Sequence, residues 1–416
     1  MSRRQFLKGS GVLVVIGFSI SGAESRSGTT TPPKQASAGR HVDASDVDSW
    51  LEVRGDNTVV VYSGKVELGT GVETALAQIV AEELDIPLSN IRMVQGDTAL
   101  TPDQNYTVGS RTIQIGGVEL RRAAATARHA LLEIGARHLG VSADSVAVEK
   151  GFVGVSGNPS KRVSFAELVG GRRFSVKVDP NAKLKDPDSY TVVGTPAARI
   201  EIPEIASGRF TFIQDVTVPG MLHGRVVRPP NIGAVVIDSA LEAIDESSIS
   251  EIAGSPKIVR QGNFVGVVAN SEWGAIEAAR KLKVRWKSTP SLPPMSDLGR
   301  ALRNVPSTVT PIVQKGDLES ALSRAKHKVS ASYRWPFQTH DSIGPSCALA
   351  DVHPDHATIW CASQGVYQLR GALADLLGMP APGIRVIFVE GAGCYGHNGA
   401  DDAAGDAALD PAFHAA

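Results

Sequence analysis

Val386-Ile387-Phe388-Val389-Glu390-Gly391-Ala392-Gly393-Cys394-Tyr395-Gly396-His397-Asn398-Gly399 runs an apolar strand into a glycine-punctuated loop, with a helix expected to open near Asp401. Strand, glycine loop and helix together can present backbone N–H groups to an anion, and the missing side chains let a phosphate or oxo group come close. Asp401 and Asp402 oppose that reading, because they complement the helix dipole themselves and would repel a phosphate. An ordinary capped turn therefore stays open. Cys394 sits in the loop with nothing beside it that marks an activated thiolate.

Working upstream, residues 369–377 read as a helix and 358–362 as a strand that ends at Ala362-Ser363-Gln364-Gly365. An amide at Gln364 can donate one hydrogen bond and accept another without adding charge, although a surface glutamine opening a turn is the competing reading. A second glycine turn, Glu67-Leu68-Gly69-Thr70-Gly71, leads into a helix over 74–84. It follows a strand pair, 50–53 and 58–62, around Gly55-Asp56-Asn57. Thr107-Val108-Gly109-Ser110-Arg111 offers hydroxyls and a guanidinium suited to phosphate or pterin oxygens.

The rest is read as loop over 98–117, a long helix over 118–139 and a capping box at Ser164-Phe165-Ala166-Glu167. Short β-rich runs, 209–218 and 224–227 among them, surround a helix over 272–282 and imply a compact α+β domain between 190 and 286. Pro290, Pro293, Pro294, Pro306 and Pro311 mark a linker, and a strand is expected over 327–335.

Lys plus Arg is 42 against 43 for Asp plus Glu, a balance that gives no electrostatic footprint for nucleic acid. Three cysteines with no close pair argue against a disulfide framework, a zinc ribbon or an iron–sulfur site in this chain. His340 lies next to Asp341, but no G-x-S-x-G elbow accompanies them, and no H-E-x-x-H or Walker loop occurs. His353 and His356 have a ligand-like spacing but fall in a short turn between strands, so no metal-ligating set is assigned. At the start, Arg3-Arg4-Gln5-Phe6 precedes the apolar run 12–18 and small residues to Ala23, the layout of a twin-arginine export signal. A Ser/Thr/Pro-rich tether follows, and the periplasm is the expected destination.

Taken together, 65–74, Gly96-Asp97-Thr98, Gly109-Ser110-Arg111-Thr112, 188–194, 215–224 and 391–408 resemble the molybdopterin-binding large subunit of the xanthine dehydrogenase/aldehyde oxidase family. The likeness is nearer to the isoquinoline 1-oxidoreductase and nicotinate dehydrogenase type. It implies an α+β fold in which an α/β-hammerhead domain (188–288) is flanked by parts of molybdopterin-binding domains (43–180 and 316–409). A signal (1–23), a tether (24–42), a linker (289–315) and a tail without family character (410–416) complete the division.

The resemblance further implies a molybdenum centre carried on molybdopterin cytosine dinucleotide, which oxidises an N-heteroaromatic or aldehyde substrate with water as oxygen source. Electrons would leave through a small [2Fe–2S] partner subunit, with a cytochrome c as a further acceptor. Gln364 matches the glutamine that hydrogen-bonds a molybdenum oxygen ligand. Gly393, Cys394, Tyr395 and Gly396 match the loop beside it, and Gly69, Thr70, Gly71, Ser110 and Arg111 match stretches that hold the pterin dinucleotide. Thr70 stands where the family commonly has glutamine. The family's general-base glutamate has no counterpart before Ala416, so the sequence reads as a truncated member. The alternative is a non-catalytic exported fragment that binds a partner subunit or a small molecule.

Overall fold

The computed structural model describes residues 40–230, 240–287, 295–336, 343–399 and 403–409. The expected signal and nearly all of the tether lie outside them, as do Pro290, Pro293, Pro294, the His340–Asp341 pair, Asp401, Asp402 and the tail. Among the described residues no helix is long and apolar enough to cross a membrane.

The first unit opens with an antiparallel pair, β1 (Leu51–Val53) and β2 (Val59–Ser63). Asn57 takes the left-handed φ of the turn, and Asp56 Oδ1 accepts the Thr58 N–H at 3.0 Å. α1 (Val72–Leu84) then crosses over to β3 (Ile91–Gln95), which lies parallel to β2. All five residues of β2 are buried, as expected of a strand covered on both faces. α2 (Val118–Leu139) packs on α1 with Leu120, Ala123, Ala124, Ala127 and Leu131 turned inward at helical spacing. Gly135 allows a close approach to a second sheet, β4 (Val146–Glu149), β5 (Phe152–Val155) and β6 (Asn158–Ser164), because a Cβ there would stand 2.6 Å from Val153 Cγ1. The capping box forms as read: Ser164 Oγ accepts the Glu167 N–H, Glu167 Oε2 accepts the Ser164 N–H, and α3 (Phe165–Val169) follows.

A middle body holds β7 (His223–Val226), β8 (Leu241–Asp245), β9 (Lys257–Gln261), β10 (Phe264–Ala269), α4 (Glu272–Lys281) and β11 (Lys283–Trp286). Its strands form a three-stranded sheet, β7-β10-β9, and a two-stranded one, β11-β8, around its own small core of Ile249, Val265, Val267 and Ala278.

The last unit repeats the topology of the first. β12 (Ala348–Val352) and β13 (Ala357–Cys361) are antiparallel, α5 (Val366–Leu377) crosses over, and β14 (Ile384–Phe388) runs parallel to β13. α6 (Ala403–Ala408) packs on β12. The two units meet edge to edge: the Phe388 N–H donates to Gly96 O at 2.8 Å, and the Thr98 N–H to Val386 O at 3.0 Å. Among the described residues the whole is mixed helix and sheet, with small sheets and no barrel.

Three expectations differ from the structure. Residues 327–335 alternate apolar and polar as a strand would, yet they pair with nothing described and lie exposed. A period of two shows which face is apolar but not whether an edge is available. Residues 209–218 hold a 3-10 turn, Ile213–Asp215, and no strand; the Ile213 N–H donates to Glu390 O at 2.9 Å, so this run packs on the last unit. The end of the expected loop over 98–117 is a π-helix, Thr112–Gly117, leading directly into α2. Gly116 is needed there because a Cβ would meet Lys65 Cγ at 2.9 Å, a close approach that the missing side chain permits.

Candidate functional site

A cavity of about 850 Å³ lies where the two repeated units meet. Its walls come from the segments after β2 (Glu67 to Thr70), β3 (Thr107 to Ser110), β13 (Ala362, Gln364) and β14 (Glu390 to Gly396). These are the carboxyl ends of the parallel strands, where crevices form in open α/β sheets because neighbouring connections diverge.

Gln364 is 2 % exposed and ties two walls together. Its Nε2 donates to Thr107 O at 2.8 Å, and its Oε1 accepts the Gly399 N–H at 2.9 Å. Only this orientation makes both contacts hydrogen bonds, since a flipped amide would set oxygen against carbonyl and N–H against N–H. The Thr107 N–H returns a bond to Gln364 O at 2.9 Å. Beneath, Lys65 is 2 % exposed and donates to Tyr106 O at 2.6 Å, and burial pushes its ammonium below the usual lysine range.

The glycine loop is held in unusual backbone regions: Gly393 has φ 147°, Tyr395 49° and Gly396 86°. Ser110, on the opposite wall, has φ 58°. Cys394 is buried, and its Sγ accepts the Gly396 N–H at 3.3 Å. Asn398 Nδ2 donates to Ala362 O at 3.0 Å and closes the loop onto β13. Two left-handed non-glycine residues facing one cavity mark stored strain of the kind that collects at binding sites.

The other end of the cavity is acidic. Glu67 is 1 % exposed; its Oε1 accepts the Gly71 N–H at 2.8 Å and its Oε2 the Glu73 N–H at 2.9 Å, so it caps α1 in place of a side-chain cap at Gly71. Arg199 reaches across to Gly69 O at 3.1 Å and Glu201 Oε1 at 2.6 Å. Burial first, then the charges of Glu201 and Glu67, pushes Glu73 up to about 7. Burial followed by Glu67 and Glu201 does the same to Glu390, also to about 7.

Of the residues singled out in the sequence, Gly69, Thr70, Ser110, Gln364, Gly393, Cys394, Tyr395 and Gly396 line this one cavity. Gly71 and Arg111 do not: Gly71 is the N-cap of α1 and Arg111 is exposed. His353 and His356 stack at 4.5 Å, each beside an aspartate, in the turn between β12 and β13. None of the three cysteines is in a disulfide. Sequence reading missed Lys65, Arg199, Glu201 and Glu390 as parts of the site. Glu67 and Glu390 stand inside the two glycine-turn motifs, but nothing local signals Arg199 or Glu201.

Two stretches match the molybdopterin cofactor-binding domain, residues 2–217 and residues 302–408. A nicotinate dehydrogenase subunit from Pseudomonas putida is 41 % identical over 98 % of this chain and 34 % of its own length. The beta subunit of isoquinoline 1-oxidoreductase from Brevundimonas diminuta is 25 % identical over 91 % of this chain and 54 % of its own length. The chain thus spans a third to a half of these curated relatives. Aldehyde oxidoreductase from Desulfovibrio gigas superposes with a TM-score of 0.39 at 19 % identity, over 47 % of this chain and 26 % of that one.

Proposed function

The chain belongs to the molybdopterin cofactor-binding family, as a molybdenum-binding subunit of xanthine dehydrogenase type, and from that premise we propose that its cavity houses the molybdopterin of a hydroxylase large subunit. The observation that carries this is the position of the cavity between two units that both match the cofactor-binding domain. The residues fit such a group. Gly69 at φ 85° has open space where a Cβ would stand, the 391–396 backbone forms one wall, and about 850 Å³ is ample for a pterin.

When bound, the group supplies two-electron oxidation of a carbon next to a ring nitrogen or of an aldehyde carbon, with oxygen from water. The chain's own part is positioning. Gln364 locks the Thr107 and Gly399 segments and keeps one amide hydrogen for a ligand oxygen. The Gly69–Thr70 and Ser110 walls set the pterin edge, and Val108, Ile113 and Phe388 add an apolar flank, of which Val108 and Ile113 are exposed in this chain.

The finer reading is the cytosine dinucleotide form, an N-heteroaromatic or aldehyde substrate, a small [2Fe–2S] partner and a cytochrome c acceptor. The nicotinate and isoquinoline enzymes among the relatives support the N-heteroaromatic substrate, and their being named as subunits supports a partner subunit; the other details follow from the family resemblance. Export by the twin-arginine route is part of the same proposal, since a route for folded proteins suits a cofactor inserted first. Changing Arg3 and Arg4 to Lys and fractionating cells tests it: loss of the periplasmic pool is expected, and an unchanged pool contradicts the route. For the cofactor, the chain is purified in its natural assembly and assayed for molybdenum and for CMP released by acid. Near-stoichiometric amounts of both are expected, and absence of both overturns the reading.

A further inference from the structure

One face of α1 carries Thr74, Gln78 and Glu82, each four residues from the next and so stacked along the helix. All three hold the segment 185–200, a strap that runs from the carboxyl end of α1 to its amino end. The buried Glu82 accepts three successive backbone N–H groups on Oε2, from Thr191 at 2.9 Å, Val192 at 2.6 Å and Val193 at 3.0 Å. Its Oε1 accepts from Lys185 Nζ at 2.7 Å. Gln78 Nε2 donates to Val192 O at 2.9 Å and to Thr195 O at 3.2 Å. At the far end, Thr74 Oγ1 accepts the Ile200 N–H at 2.9 Å, which brings Arg199 to the start of the helix. There Arg199 Nη1 donates to Gly69 O at 3.1 Å, Nε donates to Glu201 Oε1 at 2.6 Å, and Nη2 lies 3.6 Å from Glu67 Oε1. Gly69, Thr70 and Arg199 line the cavity, whereas Gln78 and Glu82 lie behind it.

We propose that Arg199 is a positioning residue for the Gly69–Thr70 wall, and that Glu82 sets Arg199 in place through the strap although it lies about 12 Å further along α1 than Thr74. The turn needs such a brace. Gly69 and Gly71 sit at φ 85° and 78°, and a glycine-punctuated turn has wide backbone freedom when nothing outside it holds a carbonyl. A planar guanidinium joined at once to Gly69 O and to a carboxylate has one geometry, so it orders the wall before a ligand arrives and lowers the entropy lost on binding. A carboxylate with three N–H groups on one oxygen is the strongest anchor along the strap. The effect on cofactor affinity rests on the cofactor reading; the coupling of strap to turn does not.

Peptide-level hydrogen–deuterium exchange on the chain in its natural assembly tests the coupling without turnover. Arg199→Ala speeds exchange over 67–73 at least about fivefold and leaves 191–195 as it was, while Glu82→Ala speeds both segments by about that factor. Exchange over 76–84 stays unchanged in both, which separates the effect from melting of α1. Arg199→Lys restores part of the protection at 67–73. Should Glu82→Ala fail to fold, Gln78→Ala, which frees only the Val192 and Thr195 carbonyls, takes its place. A turn that exchanges as in the wild type in both variants overturns the proposal, as does a uniform rise over the whole chain. Molybdenum retained after long dialysis is the second readout: both variants keep at least about fivefold less than the wild type. Full retention beside a loosened turn overturns the positioning role. A wild-type assembly without molybdenum would count against the cofactor reading instead, and the exchange result would still decide the coupling.

Discussion

Arg385 on β14 grips Asp97, just beyond β3, with two hydrogen bonds: Nε to Oδ1 at 3.0 Å and Nη2 to Oδ2 at 2.6 Å. Both side chains are largely buried, and the pair lies in the seam that joins the two repeated units. The partners are 288 residues apart along the chain.

Breaking this pair from one side leaves a buried charge uncompensated. Asp97→Ala therefore costs about 3 kcal/mol of unfolding free energy, read from the denaturant midpoint. Arg385→Lys also destabilises, since a point charge cannot reproduce the planar fork. The double variant Asp97→Ala/Arg385→Ala loses less than the sum of its single changes; strict additivity would show that the pair is not coupled.

Gln364→Leu removes the bond to the buried Thr107 carbonyl and costs about 2 kcal/mol. Gln364→Glu costs more near neutral pH, because a carboxylate oxygen then faces that carbonyl. Melting curves at two pH values separate the cases: the glutamate variant recovers at low pH and the leucine variant does not.

Ser110 sits at φ 58°, a conformation that costs an L-residue about 1 kcal/mol. Ser110→Gly should raise the unfolding free energy by about that amount. Gly396→Ala, at φ 86°, should lower it by about 1 kcal/mol. If stability does not move in opposite directions for the two, the strain is not there.

Glu73 and Glu390, pushed up to about 7 from an ordinary 4.5, hold protons that the unfolded chain has released. Their contribution is complete below about pH 4.5 and is lost as pH rises through 7. Depressed carboxyls such as Glu82, with Lys185 and three backbone N–H groups on it, act only at lower pH. The melting temperature should fall from pH 5 to 8, and Glu73→Gln/Glu390→Gln should flatten that slope.

The helix over 118–139, the β1–β2 hairpin and the Ser164 capping box are legible in the sequence because each is set by local chemistry: alanine-rich periodicity, an Asp-Asn turn, a reciprocal cap. The glycine-loop wall is legible for the same reason. The acidic end is not, because the 199–201 segment reaches the Glu67 turn through long-range contacts with Gly69 and Thr74, and Glu390 arrives only with the last unit; no spacing in the chain encodes either. The strand read over 327–335 shows the opposite failure: the local pattern is present and no described edge receives it.

The most direct test of the cofactor assignment is an anomalous difference map at the molybdenum absorption edge from crystals of the natural assembly. The molybdenum peak is expected inside the cavity walled by Gln364, Gly69 and the 391–396 loop. A peak elsewhere on the chain, or none in a preparation that contains molybdenum, would contradict it.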